Sequence, residues 1–225
     1  MKIIKLIFFV SVVYTLLACN DATPKVLVAI NDKDIQKTDT IISFENASEA
    51  TLPKGCVVGN TCPKDAKWSV INDAGNKVVA QQAKSESDCF NILALDNLFY
   101  KNFTLTVKMK AVAGEEDQGG GLVWRYIDNN NYYIARCNPL ENNFRFYKVV
   151  NGSRKQLKSV DCNIKSGEWF TMSIVMNGNN ISCSLNGSKM IETSDDTYPN
   201  AGKVGLWTKA DAQSYFDDLS VQVIK

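Results

Sequence analysis

The sequence predicts an all-β fold, an antiparallel sandwich or barrel. Three observations carry this. Short runs of alternating apolar and polar residues recur from Ile41 onward, at the spacing of about 8–12 residues typical of such domains. Turn chemistry separates them, as DNNN, NPLEN, NGS, KSGE and NGNN. No long stretch repeats apolar residues at the helical period. About 185 residues follow Ile41, a reasonable size for one domain of this kind.

The chain opens differently. Lys2 and Lys5 precede an apolar run, Leu6 to Leu17, that is too short to span a bilayer. The run ends Leu16-Leu17-Ala18-Cys19, which resembles a bacterial lipobox. The resemblance implies cleavage before Cys19 and lipidation of that residue. Residues 1–18 are therefore expected to be a lipoprotein signal peptide, 19–40 a lipid anchor and tether, and 41–225 the sandwich. Each buried methylene of an acyl chain contributes about 0.8 kcal/mol to membrane attachment. The expected location is the bacterial cell envelope, at the outer membrane or its periplasmic face.

The formal net charge is +1, and removal of Lys2 and Lys5 leaves about −1. A nucleic-acid partner would require a basic surface, so none is expected. Six cysteines follow Cys19, an even number that suits disulfides in an exported chain. Cys56 and Cys62 flank the short loop VVGNT and are the first expected pair. Cys137 and Cys162 are the second. Without histidine or a Cys-x-x-Cys pair, a thiol metal site is disfavoured.

The strands follow in order: FTLTVKMKAV, GGLVWRYI, NYYIARCN, NFRFYKVV, KQLKSVDC, WFTMSIVMN, NISCSLNG, GKVGLWTK and FDDLSVQVI. Val149-Val150-Asn151-Gly152-Ser153-Arg154 signals a tight hairpin, because Asn-Gly accepts the positive φ angles of a type I′ turn. Asp128 to Asn131 read as another hairpin turn. Gly119 to Gly121 precede a strand and not a helix, so they make no phosphate-binding loop.

Alternation assigns faces. Leu122, Trp124 and Tyr126 fall on one side of their strand, Val123 and Arg125 on the other. One consistent solution places Arg125, Tyr132, Arg136, Arg145, Tyr147, Trp207 and Lys209 on a common outer face. A single bulge would invert a strand in this scheme. Aromatic faces beside guanidinium forks suit sugar rings edged by hydroxyls or carboxylates.

The stretch GGGLVWRYIDNNNYYIARCNPLENNFRFYKVVNG, with SGEWFTMSIVMNGNNISCSLNG, DDTYPNAGKVGLWTKAD and YFDDLSV, resembles a bacterial family of concanavalin A-like jelly-roll domains. These are related to laminin-G-like modules and to 3-keto-disaccharide hydrolase domains. The resemblance covers roughly residues 41–225. It implies two antiparallel sheets of about twelve strands, with ligands on a concave face. It also implies a calcium ion on the convex side, at Asp217 with Asp218 beside it and Glu45 nearby. The hydrolase relatives carry a strand resembling Gly-Leu-Gln-Asp-His-Gly where this chain has Gly205-Leu206-Trp207-Thr208-Lys209-Ala210. The acid and the histidine are missing there.

Catalytic candidates are few. Glycosidases of laminarinase type carry two carboxyls on one strand as Glu-x-Asp-x-x-Glu, and this chain has no such pattern. Glu115, Glu116 and Asp117 are consecutive loop residues. Glu141 is placed to act as a lone acid beside the arginines. With no histidine, an imidazole base is excluded. The expectation is a non-catalytic, lipid-anchored, glycan-binding jelly roll. A glycoside hydrolase of the 3-keto-disaccharide type and a protein-interaction module of the envelope remain alternatives.

Overall fold

The computed structural model describes residues 34–62 and 66–225. Cys19 and the expected signal peptide lie outside them. The described strands are β1 (Thr40–Ile42), β2 (Cys56–Asn60), β3 (Trp68–Asp73), β4 (Asn76–Gln81), β5 (Phe90–Leu95), β6 (Phe103–Ala113), β7 (Gly120–Asp128) and β8 (Asn131–Asn138). There follow β9 (Asn143–Val150), β10 (Ser153–Asp161), β11 (Trp169–Asn177), β12 (Asn180–Leu185), β13 (Ser188–Ser194), β14 (Lys203–Lys209) and β15 (Gln213–Val223). They form two antiparallel sheets, a jelly-roll sandwich of the concanavalin A-like kind. One runs β13-β12-β11-β6-β15-β4-β3, with β1 also paired to β15. The other, seven-stranded, runs β10-β9-β8-β7-β14-β5-β2.

Period-two alternation buries one side of each sheet against the other. Leu105, Val107, Met109 and Phe216 from the first sheet meet Leu122, Trp124, Tyr133, Phe146 and Leu206 from the second. Trp124 stacks on Phe146 with centroids 5.5 Å apart, and Tyr198 meets Tyr133 edge-on at 4.9 Å. The Asn-Gly hairpin forms as expected: Val150 pairs with Ser153, with Asn151 at φ 50° and Gly152 at φ 80°. Asp128 pairs with Asn131 across the other predicted turn.

Thr40 pairs with Val221, and Ile35 bridges Phe99. One expectation needs correction. The first disulfide is Cys62–Cys89, with Cα atoms 5.4 Å apart, not Cys56–Cys62. The segment from Cys56 is an extended strand, rising about 3.3 Å per residue, so Cys56 and Cys62 are drawn far beyond bridging distance. Antiparallel pairing of Asn60 with Asn91 instead carries Cys62 toward Cys89. The second expected pair is close: the Cys137 and Cys162 Sγ atoms lie 3.2 Å apart as thiols.

Candidate functional site

The seven-stranded sheet has a second apolar cluster on the face turned away from the other sheet. Phe90, Ile92 and Ala94 come from β5, Val123 and Tyr126 from β7, and Tyr132 and Ile134 from β8. Val149 from β9 and Trp207 from β14 complete it. Phe90 and Trp207 are 5.4 Å apart, Tyr126 and Tyr132 5.7 Å. Arg154 lies across this floor. Its guanidinium sits 4.7 Å from the Tyr147 ring centroid, 5.1 Å from Phe90 and 6.0 Å from Trp207, a cation–π arrangement. Trp207 and Tyr132 are wholly buried, so the floor is covered and not open as the strand pattern suggested.

At one end of the floor stands a polar cluster. Arg136 Nη2 and Arg145 Nη1 both donate to Glu141 Oε2, at 2.7 and 2.9 Å. Asn143 Nδ2 donates to the same oxygen at 2.9 Å, while its Oδ1 accepts from Arg136 Nη1 at 3.2 Å. The Tyr147 hydroxyl accepts from Arg136 and Arg145 at 3.4 and 3.5 Å. Burial alone would raise the Glu141 carboxyl. The N–H groups of Arg136 and Asn143 and the charge of Arg145 outweigh it and hold the carboxyl at about 2. A carboxyl held ionised in this way is unsuited to donate a proton at neutral pH.

Arg136, Arg145, Tyr147, Tyr132, Trp207 and Lys209 share this face, as alternation predicts. Arg125 does not. A register shift separates Trp124 from Asp128 in β7, and Arg125 takes φ 51°. This bulge turns Tyr126 onto the face of Val123 and removes Arg125 from it. Arg125 is 1% exposed and donates from Nη1 to the Tyr100 carbonyl at 3.1 Å. Burial pulls its pKa down to about 10.

Two residues of the cluster escaped sequence reasoning. Arg154 pairs with Val149, which has the parity of Arg145 and Tyr147, so the tight hairpin already contained the signal. Asp117 carried none, because loop residues have no parity. Its Oδ1 accepts from the Gly119 amide at 2.6 Å and from Asn138 Nδ2 at 3.2 Å. Its carboxyl is 3% exposed, and burial raises its pKa against the opposing charges of Arg136 and Lys209.

The Trp207 indole N–H donates to the Tyr132 hydroxyl, while Arg136 Nε and Arg154 Nη1 are buried without an acceptor among the described residues, as are the Trp68 and Trp124 indoles and two nitrogens of Arg125 elsewhere. Buried polar atoms are normally paired, and these two guanidinium nitrogens are not.

At the position expected for calcium, the two aspartates have partners from the chain. Asp217 accepts from Asn76 Nδ2 at 2.9 Å, and Asp218 pairs with Lys108 at 2.7 Å. Both carboxylates are thus engaged within the chain, Asp217 by an amide and Asp218 by an ammonium group. Among the described residues the one convergent set of metal-type ligands is Cys62, Asp88 and Cys89, and its sulfurs are bonded to each other.

Comparison with known proteins places the fold. No curated protein matches the chain. Among solved structures, the carbohydrate-binding module CBM66 from Bacillus subtilis superposes with a TM-score of 0.61 at 18% identity, over 75% of this chain and 95% of that one. The GH43 protein BlXynB from Bacillus licheniformis gives 0.58 at 14% identity, over 88% of this chain and 40% of that one. A protein with a galectin-like fold, also from Bacillus subtilis, gives 0.55 at 10% identity, over 75% and 89%. These likenesses establish the fold. A family model, the 3-keto-alpha-glucoside-1,2-lyase-like domain, matches residues 58–222, and the chain belongs to that family.

Proposed function

We propose that this domain binds glycan on the outer face of the seven-stranded sheet, held at the bacterial envelope by a lipid on Cys19. The observation that carries this is the pair of unpartnered buried guanidinium nitrogens, of Arg136 and Arg154, at the Arg136–Glu141–Arg145 cluster and the aromatic floor. Fixed hydrogen-bond forks suit the hydroxyls and carboxylates of a sugar ring. Membership of a carbohydrate-active family and the likeness to CBM66 support the same ligand class. A glycan array probed with the purified chain tests the reading. Binding that is lost in Arg136→Ala, with Cys62–Cys89 intact and melting retained, is the expected result. Absence of signal on every glycan overturns it. Palmitate labelling that survives Cys19→Ala would remove the anchor.

A second reading has one observation in its favour. Asp117 and Glu141 both act electrostatically on Arg136, and their environments push their pKa values in opposite directions. Glycoside cleavage uses such a divided pair of carboxyls. Release of reducing or keto sugar that vanishes in both Asp117→Asn and Glu141→Gln would favour an enzyme.

A further inference from the structure

The cations on the outer face are unevenly matched. Glu141 Oε2 takes contacts from Arg136, Arg145 and Asn143, so that carboxylate is already crowded. Arg154 and Lys209 have no carboxylate within ion-pair distance among the described residues. Arg154 is held instead against three aromatic rings, with Nη1 buried and unpaired. Arg136, 2% exposed, still has an unpaired Nε.

Arg154 is half-buried, with Nη1 out of contact with water, and a guanidinium nitrogen buried without an acceptor is costly, a cost that aromatic contact offsets only in part. Burial accordingly lowers the Arg154 pKa, and the charge of Arg136 acts in the same direction. The acid that acts on it electrostatically, Asp117, is itself driven toward its neutral form by burial. It is therefore a poor partner at the pH where most carboxylates are ionised. The position calls for an anion from outside the chain. A guanidinium fork donates two parallel N–H···O bonds to a carboxylate or sulfate, and the buried rings packed against Arg154 hold that fork in place.

We propose that the ligand of this face is an acidic sugar, its carboxylate or sulfate held by Arg154 with Arg136 beside it. The inference rests on the glycan-binding reading above and narrows it to one charge class.

The test is calorimetric titration of the purified full chain with four probes. They are an oligogalacturonate, the same oligomer after carboxyl reduction, a sulfated galactan oligomer and its desulfated form. The expected result is at least about tenfold tighter binding of one acidic probe than of its neutral counterpart, the scale of a charge-assisted hydrogen bond. Which pair shows the preference identifies carboxylate or sulfate. The preference should disappear in Arg154→Gln and return in part in Arg154→Lys, with melting temperature showing that both fold. Equal or tighter binding of the neutral probes overturns the acidic-sugar proposal and leaves glycan binding standing. A preference that survives Arg154→Gln also overturns it. Failure of all four probes together with a blank glycan array removes the glycan-binding reading itself.

Discussion

Arg136 Nη2 meets Glu141 Oε2 at 2.7 Å, the arginine side chain 2% exposed and the glutamate 41%. The pair is a buried cation held by a carboxylate at the surface. Removing the carboxylate leaves the guanidinium with Asn143 and Tyr147 only. Glu141→Gln should cost about 1–2 kcal/mol in urea unfolding at pH 7, reduced from the fully buried case by solvent screening. The pH dependence has a definite sign. The folded pKa, about 2, lies below the ordinary value of 4.5. The Glu141 contribution is therefore complete above about pH 4.5 and is lost as pH falls toward 2. The difference between wild type and Glu141→Gln should shrink across that interval. A constant difference would contradict the pairing.

Asp117 has the opposite sign. Burial raises its pKa in the folded state above the ordinary 3.8, so folding favours the protonated form. Stability is then lost as pH rises from the unfolded value through the folded one. Asp117→Asn keeps an oxygen to accept from the Gly119 amide and removes the charge. It should be neutral or stabilising by about 0.5–1 kcal/mol at pH 7, while Asp117→Ala, which loses that acceptor, should destabilise by about 1–2 kcal/mol. Thermal melts of the two variants decide it. A strongly destabilised Asp117→Asn would show that the carboxylate is required ionised.

These two carboxyls also show how far the sequence reaches. Strand parity placed Arg136, Arg145, Tyr147 and Trp207 on one face because a β-strand alternates strictly and β8, β9 and β14 contain no bulge between those residues and their partners. It failed at Arg125, where one left-handed residue reverses the alternation of β7. Arg154 was readable once the hairpin fixed its register. Asp117 was not, since its burial comes from chain that returns from other elements: Asn138 from β8, and Asp211, which accepts from the amides of Glu115, Glu116 and Asp117. The disulfide failed for a related reason. Proximity along the chain suggested Cys56–Cys62, whereas strand pairing determines which sulfurs meet.

Cys137 and Cys162 are poised to form a second bridge. Their sulfurs are 3.2 Å apart, and Cys162 borders a surface depression with Glu141, Asn142, Asp161 and Asn163. Contact with Cys137, aided by Arg136, lowers the Cys162 pKa, while the same contact raises Cys137. Cys162 is therefore the attacking thiolate. Oxidised glutathione should remove two protons and two electrons from the pair, reducing the glutathione disulfide to two thiols. The chain mass should fall by about 2 Da, with two of the four free thiols among the described residues lost to thiol reagents. Closing this 25-residue separation should stabilise the protein by about 2–4 kcal/mol. Unchanged mass and thiol count after oxidation would show that the two sulfurs do not approach in solution.

The strongest effect is expected away from the outer face, at Asp195. Lys148 projects inward from β9, its side chain 8% exposed, and meets Asp195 Oδ2 at 2.9 Å and Thr197 Oγ1 at 2.8 Å. The Tyr133 hydroxyl donates to Asp195 Oδ1 at 2.5 Å, and the Thr197 amide donates to the same oxygen at 2.9 Å. One carboxylate thus ties the chain between β13 and β14 to the inner surface of β8 and β9. Deleting it would leave a phenol without its acceptor and an ammonium with Thr197 Oγ1 alone, in the sandwich interior. Asp195→Ala should cost about 3–5 kcal/mol. Replacing both charges removes the stranded cation, so Asp195→Asn with Lys148→Met should cost less than the sum of the single changes. Additive losses in that double-mutant cycle would mean that Lys148 reaches solvent when Asp195 is gone, and that the ion pair does not hold the two layers together.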